Sequence, residues 1–134
     1  MYNFYTHRIA KNDSYEVAVE KEKNCMILSF IGVWDKNADF RNYFEDVKEA
    51  LDSLTQGFNL YINLTQYKGT SSEFIVFHVD ALKSAVNAGL NKTGVLMLNN
   101  PMLKITVDDI FKKAEINAAY FSNTIAIETW LGLL

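Results

Sequence analysis

Two apolar runs joined by an amphipathic segment constrain this chain more than any other feature of its sequence. The runs CMILSFIG (25–32) and FNLYINL (58–64) contain no charged residue, which is typical of strands buried on both faces. Between them, residues 35–54 place apolar side chains at helical spacing, so a helix is predicted there. A strand–helix–strand unit of this kind predicts two parallel strands joined by a right-handed crossover.

The rest of the sequence repeats this alternation and predicts an α/β fold. A strand before the first run turns back near Asn24, so the two strands are expected to form an antiparallel hairpin. The predicted order β-β-α-β-α-β-α-β-α gives a mostly parallel sheet covered by helices. We expect one domain over residues 1–134, with 1–13 as an N-terminal extension. The further elements are a strand at 14–20, a helix from about 70 to 88, a strand at 94–99, a helix at 106–115 and a strand at 116–121.

The starts of the last two helices are predicted from capping patterns. Thr106 and Asp109 have the spacing of a capping box, which places the start of the third helix there. The tail at 122–134 fits two periodicities: alternation at Ile125 and Ile127 indicates a strand, and the apolar spacing from Ile127 onward indicates a helix. We favour the helix, capped by the serine that opens the segment.

The composition excludes several classes of function. The formal net charge is -3 and no run of Lys and Arg occurs, so the sequence offers no basic surface to nucleic acid. A single cysteine, Cys25, excludes an internal disulfide and a multi-cysteine zinc site. No segment has the pattern of a signal peptide or a membrane span. We therefore expect a cytoplasmic protein, with peripheral membrane association as an open alternative.

The succession FIGVWDKNADFRNYFEDVKEAL, FNLYINLTQYKGTSSEF and GVLMLN resembles the STAS domains and the wider SpoIIAA-like superfamily. The resemblance covers the chain from about Tyr15 to the C-terminus, and residues 32–35 correspond to the first turn of that family. It implies a regulatory protein that binds a protein partner. STAS anti-sigma-factor antagonists carry an Asp-Ser-Ser-Gly-type phosphorylation motif at the start of their second helix, which corresponds to residues 69–72 here. The resemblance thus implies Ser71 and Ser72 as candidate phosphorylation sites.

The hydroxyl run at the start of the second predicted helix, Thr70, Ser71 and Ser72, has two interpretations. A helix N-terminus offers free N–H groups and a favourable dipole to an anion, so the run could carry a phosphate. Alternatively, Thr70 and Glu73 have the spacing of a capping box and satisfy the backbone of the helix. We favour the cap, because no aspartate precedes the run and Glu73 stands where the phosphorylation motif has glycine.

The second predicted helix is unusually apolar and carries His78 on its apolar face. The apolar arc, which includes Phe74 and Ile75, covers about half of the helix circumference. Packing against neighbouring helices explains such an arc and is slightly favoured. An exposed arc would instead bind a partner protein, an apolar ligand or a membrane surface. For His78 we favour a core histidine bonded to a backbone carbonyl or a water over a polar group at the floor of a ligand pocket.

No catalytic, cofactor or metal motif is recognisable in the sequence. Cys25 lies inside a buried strand, where a thiol is usually inert. Asp108 and Asp109 point to different sides of a helix, and their expected role is favourable charge in its first turn. Trp34 and Asp35 are candidate site residues by position, because ligands bind beyond the carboxyl ends of parallel strands. A core tryptophan and a helix-capping aspartate explain both residues as well.

We therefore predict a non-enzymatic regulatory or binding protein, without cofactor or metal. Its site comprises residues 34–37, residues 67–72 and the adjoining face of the second helix. The candidate residues are Trp34, Asp35, Thr70, Ser71, Ser72, Phe74, Ile75 and His78. The alternatives are a module that binds an apolar small molecule or lipid and associates with membranes, a STAS anti-sigma-factor antagonist switched by phosphorylation, and an unrecognised enzyme. Aromatic residues near the N-terminus leave a homodimer open.

Overall fold

The structure is a computed structural model that describes residues 6–134. The strands are β1 (His7–Lys11), β2 (Tyr15–Glu20), β3 (Cys25–Trp34), β4 (Asn59–Thr70), β5 (Thr93–Leu96) and β6 (Ala118–Phe121). The helices are α1 (Tyr43–Asp52), α2 (Ile75–Asn87), α3 (Pro101–Ala114) and α4 (Thr124–Trp130), with a 3₁₀ turn at Ser72–Phe74 before α2. All six strands form one sheet, β1-β2-β3-β4-β5-β6. The pairs β1–β2 and β2–β3 are antiparallel and the others parallel, which confirms the predicted α/β class.

The sequential strand order places three helices on one face of the sheet. Right-handed crossovers that always advance in the same direction keep α1, α2 and α3 on the same side. The larger core cluster accordingly contains Val47, Leu82 and Phe111, one from each of these helices. Helix α4 covers part of the other face through Ile127. A Cβ atom at Gly94 would lie 3.0 Å from Ile127 Cγ1, so this glycine permits the close approach of α4 to β5.

The N-terminal edge of the sheet has a strand that the sequence analysis assigned to the extension. Strand β1 pairs antiparallel with β2, and its register shifts between Arg8 and Ala10. This strand was not predicted because it lies at the edge of the sheet and carries charged residues, which interrupt the apolar pattern typical of a strand. The hairpin between β2 and β3 is confirmed, and Asn24 adopts the expected left-handed conformation with φ 52°.

Strands β3 and β4 run further than predicted. The β3–β4 ladder continues to the pair Trp34 and Thr70, after two shifts of register. The segment expected to be a loop after residue 64 is therefore mostly strand. Gly32 and Gly69 both have positive φ, at 67° and 110°, where the extended ladder bends.

Helix α1 begins at Tyr43 and not at Asp35. The Asp39 amide donates to Ser14 Oγ at 2.9 Å, and the Asp39 carbonyl accepts from Asn12 Nδ2 at 3.0 Å. These bonds tie the segment to the turn between β1 and β2. The predicted helix start was wrong because backbone groups that a helix would use are bonded to another part of the chain.

Helix α3 begins five residues earlier than predicted. Pro101 occupies its first turn, and Asn100 Oδ1 accepts a hydrogen bond from the Leu103 amide at 3.0 Å. Thr106 therefore lies inside the helix, and the capping box predicted for it with Asp109 is wrong. An asparagine cap followed by proline was the stronger start signal.

The two acidic residues of α3 lie in its middle turns, not in the first turn as predicted. Asp108 pairs with Lys104 at 3.1 Å and Asp109 pairs with Lys113 at 2.9 Å. Each pair spans four residues, so the acids support the exposed side of the helix. The tail forms a helix, as favoured, although Asn123 caps it by accepting from the Ala126 amide at 2.9 Å.

Candidate binding site

An open cleft of about 530 Å³ lies at the carboxyl ends of β3 and β4, against the start of α3. The strand side contributes Asp35, Thr70 and Ser71, three of the residues predicted from the sequence. The helix side contributes Met102 and Leu103. The strand side is mainly polar, apart from Val33, and the helix side combines its two apolar residues with the polar Asn100 and Thr106. Mixed polar and apolar groups are typical of surfaces that bind other molecules.

The hydroxyl run holds the two strand ends together. The Ser71 amide and Thr70 Oγ1 both donate to the Trp34 carbonyl, each at 3.0 Å. Ser71 Oγ lies 3.5 Å from the same oxygen. The predicted capping box of Thr70 with Glu73 is wrong, because Thr70 ends β4 and neither the 3₁₀ turn nor α2 has a side-chain cap. The register shifts that lengthen β4 could not be inferred from periodicity alone.

Asp35 belongs to the cleft lining, whereas Ser72 follows the lining residue Ser71 in the chain. Asp35 Oδ1 accepts from the Asn37 amide at 2.9 Å, so it stabilises a turn and does not cap α1. Ser72 begins the 3₁₀ turn and is exposed, as is Glu73 beside it. The structure thus places Ser72 within reach of solvent, next to a negative charge.

Apolar side chains are exposed around this cleft, and the sequence analysis missed them. Val33 is 49% exposed, Met102 81% and Ile105 71%. Met102 and Ile105 are three residues apart in the first turns of α3, so they share one side of the helix. The signal that could have found them was Asn100 followed by Pro101, directly after the strand predicted at 94–99.

Trp34 and His78 form the centre of a buried aromatic cluster beneath α2. Both are essentially inaccessible to solvent. Their ring centroids are 4.1 Å apart with planes inclined by 30°, and Phe40 stacks on Trp34 at 5.1 Å. Trp34 Nε1 donates to the Ser14 carbonyl at 3.0 Å, which satisfies its only donor. The structure therefore separates Trp34 and His78 from the open cleft.

Most of the apolar arc of α2 is covered by neighbouring side chains. Phe74 and Phe77 lie 5.2 Å and 5.1 Å from Phe40 between their ring centroids. Ile75 packs against the larger core cluster, while Val76 remains 50% exposed. Packing thus accounts for the breadth of the arc, as slightly favoured from the sequence.

The imidazole of His78 is sealed in a small, apolar space. Its Nε2 lies 3.2 Å from the Tyr67 hydroxyl, and its Nδ1 has no partner among residues 6–134. The sequence predicted a bond to a backbone carbonyl or a water; among residues 6–134 the partner of the ring is the Tyr67 hydroxyl and not a carbonyl. Burial lowers the pKa of His78 from 6.5 to about 3 and raises the pKa of Tyr67. The adjacent cavity of about 20 Å³ has room for one water at most, far below the volume of a ligand pocket.

Neither the single thiol nor the side chains that commonly bind metals form a reactive centre among residues 6–134. Cys25 is buried, and burial raises its thiol pKa to about 12, so the thiol stays protonated. Among residues 6–134, no group of three His, Cys, Asp or Glu side chains could hold a metal ion. No helix in this range has the length and apolarity needed to cross a membrane.

Comparison with known proteins supports the fold and leaves the function open. No family model matches the sequence, and a comparison with curated protein sequences finds no match. The crystal structure of an uncharacterized protein from the DUF3478 family with a SpoIIAA-like fold, from Shewanella loihica PV-4, aligns with a TM-score of 0.61. The alignment covers 91% of this chain and 97% of that chain, at 12% identity. This chain accordingly has a SpoIIAA-like fold, as the sequence resemblance implied.

Proposed function

We propose that this SpoIIAA-like protein is a non-enzymatic binding protein whose partner protein docks over the cleft between the ends of β3 and β4 and the start of α3. The observation that carries the proposal is the exposure of Val33 and Met102 in the cleft lining, with Ile105 exposed three residues further along α3. Exposed apolar side chains of this size are typical of surfaces that a protein partner covers.

The chemistry of the cleft defines the partner surface that would fit it. Met102 and Leu103 offer an apolar wall, whereas Asp35 and Lys68 place charges of both signs on the opposite side. A matching partner presents an apolar side chain flanked by polar groups that reach these charges. Such an arrangement follows the usual division of a protein interface into an apolar centre and a polar rim.

Two features support a protein partner over an apolar small molecule. The strand order never reverses, so the sheet lacks the crevice in which open α/β sheets usually bind small ligands. The cavity beside His78, about 20 Å³, is too small for an apolar ligand. The open cleft is shallow and polar on one side, which favours a surface contact.

The absence of catalysis is part of the proposal and rests on two side chains. His78 stays neutral and sealed in the interior, where it reaches neither solvent nor the cleft. Cys25 is likewise buried and protonated. Neither group can therefore act on a substrate held at the surface.

Phosphorylation of Ser71 or Ser72 would be a second candidate, as a switch that regulates docking. The exposure of Ser72, which directly follows Ser71 of the cleft lining, favours this idea. Asp35 in the cleft lining and Glu73, the residue after Ser72, oppose added negative charge, and Lys68 in the lining is the compensating cation. A Ser72→Asp variant that binds the isolated partner with unchanged affinity would refute regulation at that position.

The docking proposal is tested with a photo-crosslinking side chain placed at position 102, and at position 125 as the control. Ile125 is 68% exposed in the first turn of α4, on the opposite face of the sheet. We expect one protein to be captured at position 102 and not at 125. Once isolated, that partner should bind Met102→Asp at least tenfold more weakly, and Ile125→Asp with unchanged affinity.

Vesicles test the membrane alternative on the same variants. We expect no sedimentation with vesicles of neutral phosphatidylcholine or of phosphatidylcholine mixed with phosphatidylserine. If vesicles bind the wild type and Ile125→Asp but not Met102→Asp, the cleft binds a membrane surface and not a protein partner. Equal loss of partner affinity in both variants would refute docking at the cleft.

A further inference from the structure

The two edges of the sheet are built differently. Strand β1 carries the charged residues Arg8 and Lys11 and has a register shift, features that discourage pairing with another strand. Strand β6 has the sequence AAYF, with no charge and no proline, and its ladder with β5 is regular. Within residues 6–134 no strand pairs with the outer side of β6.

The ladder with β5 determines which backbone groups of β6 face outward. The Phe121 carbonyl accepts from the Met97 amide at 2.9 Å, so Phe121 and, by alternation, Ala119 direct their backbone groups at β5. Ala118 and Tyr120 therefore direct theirs away from the sheet. Two N–H groups and two carbonyls are available along this edge.

We propose that β6 pairs antiparallel with β6 of a second copy of this chain, so that the two sheets become one. In this dimer Ala118 lies opposite Tyr120 of the second copy, and the two Ala119 residues lie opposite each other. All four outward groups then bond reciprocally across a twofold axis. Each bulky Tyr120 meets the small Ala118, which leaves room for the ring.

Side chains on both faces extend the contact beyond the strand. A four-residue pair alone buries little surface, whereas specific interfaces bury about 1,200 Å² or more. On one face, Tyr120 bonds to Asp108 and lies under Lys104 Nζ, 4.4 Å from the ring centroid. On the other, the half-exposed Trp130 packs against Phe121 at 5.4 Å. The rings of Tyr120 and Trp130 are fixed by these contacts, and they add apolar surface beside the edge strand β6.

The charges on α3 favour a second copy as the occupant of this edge. Lys104 and Asp108 of α3 contact Tyr120, Lys112 follows four residues on, and Glu115 comes directly after the last residue of the helix. This stripe of four charges alternates in sign at spacings of three and four residues. A twofold axis reverses the order of such a stripe. Each positive position then meets a negative one, so the stripe is complementary to its own rotated copy.

A disulfide test reports the proposed register directly. Opposed residues of a non-hydrogen-bonded antiparallel pair have Cα atoms about 4.5 Å apart, within the range of a disulfide. Oxidised Ala119→Cys should therefore form a covalent dimer on non-reducing electrophoresis and by intact mass. Ala10→Cys on β1 is the matched control and should stay monomeric; the native Cys25 is buried. Linking no greater for Ala119→Cys than for Ala10→Cys overturns the proposal.

Sedimentation equilibrium tests the dimer without a crosslink. Ala118→Pro removes an outward N–H and keeps the ladder with β5, so the fold is retained while pairing is blocked. We expect the wild type to dimerise and this variant to show a dissociation constant at least tenfold higher, with an unchanged circular dichroism spectrum. A wild type that remains monomeric from micromolar to millimolar concentration overturns the proposal, whatever else binds the edge. Should Ala118→Pro fail to fold, the disulfide result decides.

Discussion

The interior beneath α2 and the cleft beside α3 meet at the end of β3, yet they differ in almost every physical property. Trp34 is fully buried and its ring stacks on His78, whereas the preceding residue, Val33, is 49% exposed at the cleft. The interior is apolar and filled; the cleft is open, with a polar wall. Consecutive residues of one strand thus lie in the packed core and at an exposed surface.

The contrast teaches that unusual side chains do not by themselves mark a site. The aromatic ring of Trp34 and the imidazole of His78 attract attention in the sequence, and both are packed in the core. Met102 and Ile105 are common residue types, yet their side chains are exposed to solvent. An exposed apolar side chain is the more informative observation, because burial of the core is expected anyway.

The largest expected effect on stability comes from the buried aromatic cluster. Trp34→Ala should lower the free energy of unfolding by about 3–5 kcal/mol, because it empties the centre of the aromatic cluster. Trp130→Ala, at a half-exposed tryptophan, is the matched control and should cost about 1–2 kcal/mol. Urea denaturation of both variants measures the difference. Equal losses would show that the cluster around Trp34 is no more important to stability than the surface.

A second prediction concerns the pH dependence that His78 creates. The folded state keeps His78 neutral down to about pH 3, whereas the unfolded chain takes up the proton below about pH 6.5. The unfolded state binds more protons in this window, so the free energy of unfolding falls as the pH drops. Between pH 7 and pH 5 the expected loss is about 2 kcal/mol.

The variant His78→Leu should lose this part of the pH dependence. Its stability at pH 7 changes as well, so the comparison is between slopes measured by urea denaturation at several pH values. Parallel profiles for wild type and His78→Leu would mean that His78 can take up a proton in the folded state.

Periodicity and turn chemistry predicted the α/β class, the parallel pairing of β3 with β4 and the helical tail. These predictions succeeded where a pattern is long and local, as in CMILSFIG or FNLYINL. The helix start at Asp35 failed because Asp39 bonds to Ser14 and Asn12, which lie more than twenty residues away. Contacts across such distances leave no periodic signal.

The site was harder to predict than the fold, for a physical reason. Thr70 and Glu73 have the spacing of a cap, but the ladder with β3 claims Thr70 for the strand. The cleft itself depends on where α3 begins, and an error of five residues hid Met102 and Ile105. The roles of the eight predicted site residues in binding remain predictions. Three of them line the cleft, Ser72 is exposed in the 3₁₀ turn, and the other four pack in or against the interior.

The hydrogen bonds to the Trp34 carbonyl, which join the ends of β3 and β4, are expected to have a smaller effect on stability. Thr70→Val keeps the shape of the side chain and removes the hydroxyl that donates to the Trp34 carbonyl. The Ser71 amide still bonds that carbonyl, so the expected loss is about 0.5–1 kcal/mol. Thr55→Val, in the exposed loop before β4, is the control and should be neutral. A loss of helix content in Thr70→Val would instead revive the capping interpretation.

The smallest effect on stability is expected at the cleft. It bears most directly on the difference between the exposed cleft and the packed interior. Met102 is 81% exposed, so Met102→Asp removes little buried surface and places an acid in the first turn of α3, where the helix dipole favours it. The free energy of unfolding should change by less than about 0.5 kcal/mol.

Leu103→Asp is the contrast within the same turn. Leu103 packs against the core cluster, and its Cδ1 would lie 3.7 Å from a Cβ at Gly69, so an acid there should cost several times more than at Met102. Thermal denaturation of the two variants at equal concentration measures both changes. If Met102→Asp destabilises as strongly as Leu103→Asp, the Met102 side chain is already engaged within the fold and is not free to meet a partner. If it is neutral, any loss of partner binding in that variant reports on the interface and not on folding.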